Sequence, residues 1–199
     1  MIILGITGGI GAGKSETAEY LTGLGIPVLD TDRVARDLVA PGQPALAEMV
    51  SALGERILDA DRQLDRGALA RWVFQDNSAR LRLEAILHPR IREAWIAWLR
   101  DTASLRQPMA AVVIPLLYEK GYEADFQAII ALGCSEKTQR LRLRQRQWSD
   151  QMIDQRLAAQ LPMVEKLRRA DHVLWSEGQL AVLREQIDSV LGTLGRTSL

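Results

Sequence analysis

The feature that most restricts this chain lies at its start, where the apolar run Met1 to Ile6 passes into Thr7-Gly8-Gly9-Ile10-Gly11-Ala12-Gly13-Lys14-Ser15-Glu16. Ser15 to Leu24 then carries apolar residues at helical spacing, so the glycines join a strand to a helix. Glycine clusters let a backbone take positive φ and come close to an anion, with successive N–H groups turned inward. The helix that follows adds the positive end of its dipole at the same place. Gly8 to Ser15 fits G-x-x-x-x-G-K-[ST] in this strand-to-helix context, which predicts a nucleoside triphosphate site. Gly8, Gly9, Ile10, Gly11, Ala12 and Gly13 supply the main-chain cradle, and Lys14 reaches the β- and γ-phosphates as a point charge. The Ser15 hydroxyl takes one position on Mg²⁺. Glu16 closes the segment assigned to nucleotide binding; a carboxylate this near repels phosphate unless it turns outward, and outward is the expectation.

Composition narrows the partners. With 199 residues, 47% of them hydrophobic, the chain can bury one substantial core with a smaller lobe attached. Lys plus Arg equals Asp plus Glu at 25 each, which leaves no overall field for nucleic acid or an anionic membrane. The longest apolar run, Met109 to Tyr118, contains a proline and falls short of the about 18 residues that suggest a membrane span. No basic n-region or small-residue cleavage site marks the N-terminus, so a cytoplasmic protein is expected, without nucleic-acid or membrane partners and as a monomer. Cys134 follows the apolar run AIIALG and reads as a buried structural thiol.

Along the chain, Gly25 to Asp32 reads as a short strand running into polar residues. In a parallel α/β sheet the carboxyl ends of strands face the ligand crevice. Asp30 and Asp32 lie two apart, so an extended backbone aims both the same way. Asp32 either orients a phosphoacceptor hydroxyl or caps a helix starting near Arg33; Asp30 reads as a cap or a structural hydrogen bond. Residues 41 to 100 contain no convincing strand and look like a helical insertion, in which Trp72, Trp95 and Trp98 read as packing. Met109 to Ile114 returns to a buried strand, with Pro115-Leu116-Leu117-Tyr118-Glu119 at its carboxyl end facing the crevice. Phe126 to Leu132 and Val173-Leu174 are further strands, before a helix from Gln179 to Leu191. The order of elements is α/β throughout. Arg140, Arg142, Arg144 and Arg146 crowd one helix, Arg142 and Arg146 on one face and Arg140 and Arg144 on a nearly opposite one, so only one pair can look into a crevice.

GITGGIGAGKS, VLDTDRVAR, His88-Pro89-Arg90-Ile91, IPLLYE, Gln139 to Arg146 as Q-x-x-R-L-x-x-R, Arg156-Leu157-Ala158-Ala159-Gln160 and Ala170-Asp171 together resemble the dephospho-coenzyme A kinase family, in that family's order over essentially the whole chain. The resemblance implies a P-loop NTPase fold, a parallel β-sheet flanked by helices as in nucleoside-monophosphate kinases, with a helical substrate-binding insertion and a helical lid. It places the nucleotide-binding core at 1–33 and 105–199, the lid at about 137–165 and the coenzyme-A-binding insertion at 34–104. It implies ATP and Mg²⁺ as co-substrate and metal, and the 3′-hydroxyl of dephospho-coenzyme A as acceptor. Asp32 matches the catalytic aspartate; Arg142 and Arg146 match the lid arginines that act with Lys14 on the phosphoryl group. His88, Pro115, Leu116, Leu117 and Glu119 fall where the family contacts or shapes the acceptor site.

Three departures stand out. Val113 occupies the place of a metal-binding aspartate, so Asp32 is expected to share Mg²⁺ through water. Ser176-Glu177-Gly178 replaces the usual Asn before glycine, which opens the question of adenine recognition. The lid motif is one residue shorter near Trp148. Two rivals fit the same loop: a P-loop kinase for a nucleoside monophosphate or small alcohol, and a nucleotide-dependent switch, against which stands the lack of an N-K-x-D guanine motif.

Overall fold

A computed structural model describes residues 1–196 and divides into two compact units, Met1–Asp30 with the chain from Thr102 onward, and Thr31–Asp101. The division falls a few residues ahead of the expected breaks after 33 and 104.

The first unit is built on β1 (Ile2–Gly8), β2 (Val28–Asp30), β3 (Met109–Val113), β4 (Ala128–Gly133) and β5 (His172–Trp175). All pair in parallel in the order β2-β3-β1-β4-β5. A parallel sheet is stable when helices cover both faces, and its inner strands then read as unbroken apolar runs. That is the pattern of AIIALG in β4, buried along its whole length. The core joins Leu4, Ile6, Val113, Ile130, Leu132 and Leu174 of the sheet to Leu21 of α1 (Lys14–Gly23) and to Leu183 and Ile187 of α9 (Leu180–Arg196). Because β1 lies between β3 and β4, the chain leaves it toward opposite edges, and the loop after β1 opens where the strand order reverses. The edge at β5 is blunted: the Gln186 side chain accepts from Trp175 N–H (2.8 Å) and donates to its carbonyl (3.1 Å). Between β4 and β5 run α6 (Glu136–Gln145), α7 (Asp150–Ala158) and α8 (Met163–Arg169).

The second unit is helical, as expected: α2 (Thr31–Asp37), α3 (Pro44–Leu53), α4 (Arg66–Gln75) and most of α5 (Asn77–Ser104). Val39, Met49, Leu53, Ile57 and Ile86 form its centre. Pro44 starts α3, where a missing N–H costs nothing, and Asp65 caps α4 by accepting from Ala68 N–H (2.8 Å). A tight Leu58–Leu64 bridge, absent from the sequence reading, joins α3 to α4. Pro89 lies inside α5 and has no N–H to give; the guanidinium of the next residue, Arg90, donates to the Ile86 carbonyl (2.7 Å) and pairs with Glu48 (2.5 Å). The tryptophans pack as expected, with Trp95 buried and the Arg56 guanidinium 3.6 Å over the Trp72 ring centroid.

One boundary differs in a way that bears on function. α2 begins at Thr31, directly after β2, and not near Arg33. Asp32 therefore stands inside the first helical turn, not in front of it as a cap, and the extended alternation that would align it with Asp30 is lost.

Candidate active site

β1 delivers the chain into the glycine loop through a contact that excludes any other residue. Gly8 has φ 139°, and a Cβ there would stand 2.3 Å from the Leu132 carbonyl oxygen of β4. Gly13, left-handed at φ 95°, is the N-cap of α1 and offers no side chain to the first-turn amides. No side chain caps that turn, and the positive end of a helix dipole there favours an anion. The Lys14 ammonium lies over the loop and donates to the carbonyls of Gly8 (3.0 Å) and Gly9 (2.9 Å). Ser15 and Glu16 are exposed, so the Glu16 carboxylate has solvent around it. Thr17, the next residue, is buried and donates through Oγ1 to Gly13 O (3.2 Å).

α6 and the β5–α9 loop close the flank of this loop. Arg142 donates to Gly11 O (3.1 Å), Ser176 Oγ (2.9 Å) and Ser176 O (2.5 Å). Ser176 is buried. Glu177, the departure from the family pattern, is fully engaged: it accepts from Ser135 N–H (2.9 Å), Ser135 Oγ (2.9 Å) and Thr138 Oγ1 (2.5 Å). The Thr138 bond, then the two Ser135 bonds, with Arg142 adding, hold the Glu177 carboxyl below the ordinary carboxylate range. Ser135 is itself the N-cap of α6. The arginines divide by face as the helical period requires. Arg140 pairs with Glu136 (2.9 Å) and Asp154 (2.7 Å), and Arg144 with Asp150 (2.8 Å), both away from the loop. Arg146, expected on the same face as Arg142, is the exposed C-cap residue of α6.

The segment after β3 separates into two roles. Leu117 is fully buried and packs on Gly5, so it is a core residue with no surface to offer a ligand, against the sequence expectation. Pro115 and Leu116 are half-buried. Glu119 uses one oxygen for packing ties: its Oε1 accepts from the Lys166 ammonium (2.8 Å) and from Leu161 N–H (2.9 Å), while its Oε2 is buried without a hydrogen-bond partner among the described residues. Lys166 is completely buried in α8 and also donates to Pro115 O (2.6 Å), which accepts from Thr7 Oγ1 (3.4 Å) as well. Burial pushes the Lys166 pKa down, and the Glu119 carboxylate opposes that shift. Sequence reading missed Lys166, and it gave the motif residues Gln139 and Glu177 no contact of their own. A polar residue on a helix is by default solvated, and nothing local marks Lys166 and Gln139 as buried.

In the second unit, Asp32 is exposed in the first turn of α2, where the helix dipole favours a carboxylate. His88 is half-buried in α5. Val113 ends β3 as buried hydrocarbon. Among the described residues no group of three or more His, Cys, Asp and Glu forms a metal cluster, and no helix is long and apolar enough to cross a membrane.

Two outcomes follow from the buried polar groups. Glu119→Gln leaves the Lys166 ammonium buried without its counter-ion and should cost about 3–5 kcal/mol in urea unfolding, whereas Glu119→Gln with Lys166→Met should recover most of it. Glu177 has a lowered folded-state pKa, so its contribution is complete above the ordinary carboxylate pKa and is lost as pH falls through the folded value. Thermal melts of Glu177→Gln should therefore start lower at neutral pH and fall less than wild type on acidification below about pH 4.5; parallel curves would show that the carboxylate does not carry the contact.

A family model described as dephospho-CoA kinase matches residues 2–181. A dephospho-CoA kinase of Moorella thermoacetica is 44% identical over 199 residues, covering 98% of this chain and 93% of that protein. A crystal structure of a protein from Thermus thermophilus superposes with TM-score 0.81 at 34% identity, covering 97% of each chain. The dephospho-CoA kinase of Campylobacter jejuni superposes at TM-score 0.72 with 23% identity over 99% of this chain and 98% of that one, a likeness of fold. The glycine turn between β1 and α1, the five parallel strands that hold it and the extent of these matches lead to one conclusion: the chain is a phosphotransferase of the P-loop kinase fold and belongs to the dephospho-CoA kinase family.

Proposed function

We propose that this chain transfers the γ-phosphoryl group of ATP to the 3′-hydroxyl of dephospho-coenzyme A, releasing coenzyme A and ADP, as the last step of coenzyme A biosynthesis. The observation that carries the reading is the loop at the head of α1. Its capless first turn and the Lys14 ammonium bonded to Gly8 O and Gly9 O form a site that trades internal carbonyls for phosphate oxygens when a nucleotide enters.

Gly8 to Gly13 grip the phosphates through main-chain N–H groups, and Lys14 leaves its two carbonyls for the β- and γ-oxygens. Mg²⁺ in such sites keeps several waters and takes one or two protein oxygens besides the phosphates. The exposed Ser15 hydroxyl would supply one such oxygen, and Asp32 would share in holding the ion through water where Val113 stands in place of an aspartate. Bound there, the ion screens charge on the phosphate oxygens. Asp32 orients the acceptor hydroxyl and takes its proton as the bond from the 3′-oxygen to the γ-phosphorus forms and the bond to the β-bridging oxygen breaks. Arg142 already touches the loop; Arg146, exposed and unattached to the sheet, joins when residues 137–165 close as a lid. Because Ser176 serves Arg142 and Glu177 serves Ser135 and Thr138, adenine is read by the backbone of Glu177 and Gly178 and not by these side chains. His88, Pro115 and Leu116 shape the acceptor site, the helical unit binds the coenzyme A moiety, and the enzyme acts as a cytoplasmic monomer.

Mg-ATP with a panel of dephospho-coenzyme A, nucleoside monophosphates and sugar alcohols should give ADP fastest with dephospho-coenzyme A; a clear preference for another acceptor overturns the assignment. Asp32→Asn should bind ATP nearly as wild type by calorimetry yet turn over slower by a factor of about 10² or more. Unchanged turnover would reduce Asp32 to a helix-dipole residue.

A further inference from the structure

Gln139 is an uncharged side chain, 4% exposed, in the first turn of α6. Its Nε2 donates to the Ile10 carbonyl at 2.7 Å, across 129 residues of sequence. The same nitrogen stands 3.0 Å from where a Cβ on Gly9 would be, and Met163 Cε 2.6 Å from it, so the glycine loop and α6 meet with no room for a side chain between them. Ile10 O belongs to the Ile10–Gly11 peptide. A trans peptide is planar, with its C=O and N–H pointing in opposite directions. A carbonyl held from the α6 side therefore fixes the Gly11 N–H toward the other side, the side on which the loop encloses an anion.

We propose that Gln139 is a positioning residue of the phosphate loop: from outside, it holds the Ile10–Gly11 peptide in the orientation that presents Gly11 N–H to the bound phosphates. Without that anchor a peptide flanked by glycine can rotate, and rotation replaces a donor facing the phosphates with a carbonyl that repels them. The neighbouring peptide has other ties, since Gly11 O accepts from Arg142 (3.1 Å) and Ala12 N–H donates to Gly9 O (3.1 Å). Gln139 is itself well placed. Glu177 pins Ser135 and Thr138, and Gln139 N–H closes the first turn on Ser135 O (2.9 Å). The side chain must be neutral for this role. A buried amide stays satisfied with the loop empty or filled, while a carboxylate in its place could not donate to Ile10 O and would add negative charge beside the phosphates.

The inference rests on the nucleotide reading of the loop, and the test separates the two. Gln139→Met keeps the length of the side chain and removes its donor. In calorimetry on the full chain, Mg-ADP should bind about tenfold or more weaker than to wild type, while dephospho-coenzyme A affinity should stay within about twofold. In ¹H–¹⁵N spectra, the shift of the Gly11 amide on ADP addition should shrink in the variant, a change that a loss of packing alone does not produce. An ADP affinity within twofold of wild type, or equal weakening for both ligands, overturns the proposal. Should the Met variant fail to fold, Gln139→Glu retains the shape without the donor and is read by the same criteria. Wild-type protein that binds no ADP would sink the nucleotide reading and this inference together; wild-type binding with an unaffected variant sinks the inference alone.

Discussion

The structure turns on the close passage of Gly8 across the end of β4. A Cβ at this position would lie 2.3 Å from Leu132 O, so β1 and β4 keep their parallel register up to the last residue before the loop only because that side chain is absent. The register has distant effects. It sets the end of β1 level with Leu132, and residues 134–139, which follow β4, then pass alongside the loop that follows β1. The donors that grip the loop, Gln139 and Arg142, come from that α6 segment, and Ser176 and Glu177 come from the end of the neighbouring strand β5. A sheet with the same strands shifted by one residue would present the opposite side chains and none of these contacts.

Outside the sheet, the segments that complete the site are held by buried polar groups. The Lys166 ammonium joins α8 to Pro115 O and Glu119, and Glu119 in turn holds Leu161 N–H. Glu177 joins the β5–α9 loop to the first turn of α6. Burying charge for such ties is expensive, and apolar packing would often be as stable. Directional bonds differ from packing in fixing a segment at one position and one angle, which a site built from backbone carbonyls and amides requires.

The parts legible in the sequence were those whose cause is local. The glycine spacing encodes the loop because the φ values and close approaches are properties of single residues, and the apolar runs of β3 and β4 encode inner parallel strands because burial on both faces removes alternation. The start of α2 was placed too late because an Asp beside a helix reads as a cap, while the chain passes from Asp30 into the helix with no intervening loop. The end of a parallel strand faces the crevice, which makes Leu117 read as a ligand residue; a single turn there sends it into the core, while Glu119 turns one oxygen to Lys166. The contacts of Gln139, Lys166 and Glu177 are not legible because their partners lie 129, 51 and 42 residues away and no short pattern records such pairs.

Helix α6 shows how an anion site divides its work between neutral and charged donors. Gln139 and Arg142 are three residues apart, on one face, and take adjacent carbonyls of the loop, Ile10 O and Gly11 O. The neutral donor is the more buried of the two. It needs no counter-ion, so its surroundings are equally suitable before and after a polyanion arrives. The guanidinium is less enclosed and rests on carbonyls and a hydroxyl, weak partners beside what a phosphate offers. Its empty-state bonds therefore keep it near the loop without competing strongly against a nucleotide. An exchange of the two residues would put a charge in the more enclosed of the two places and a neutral amide where charge has to be met, so their order along α6 follows from the electrostatics of the loop they hold.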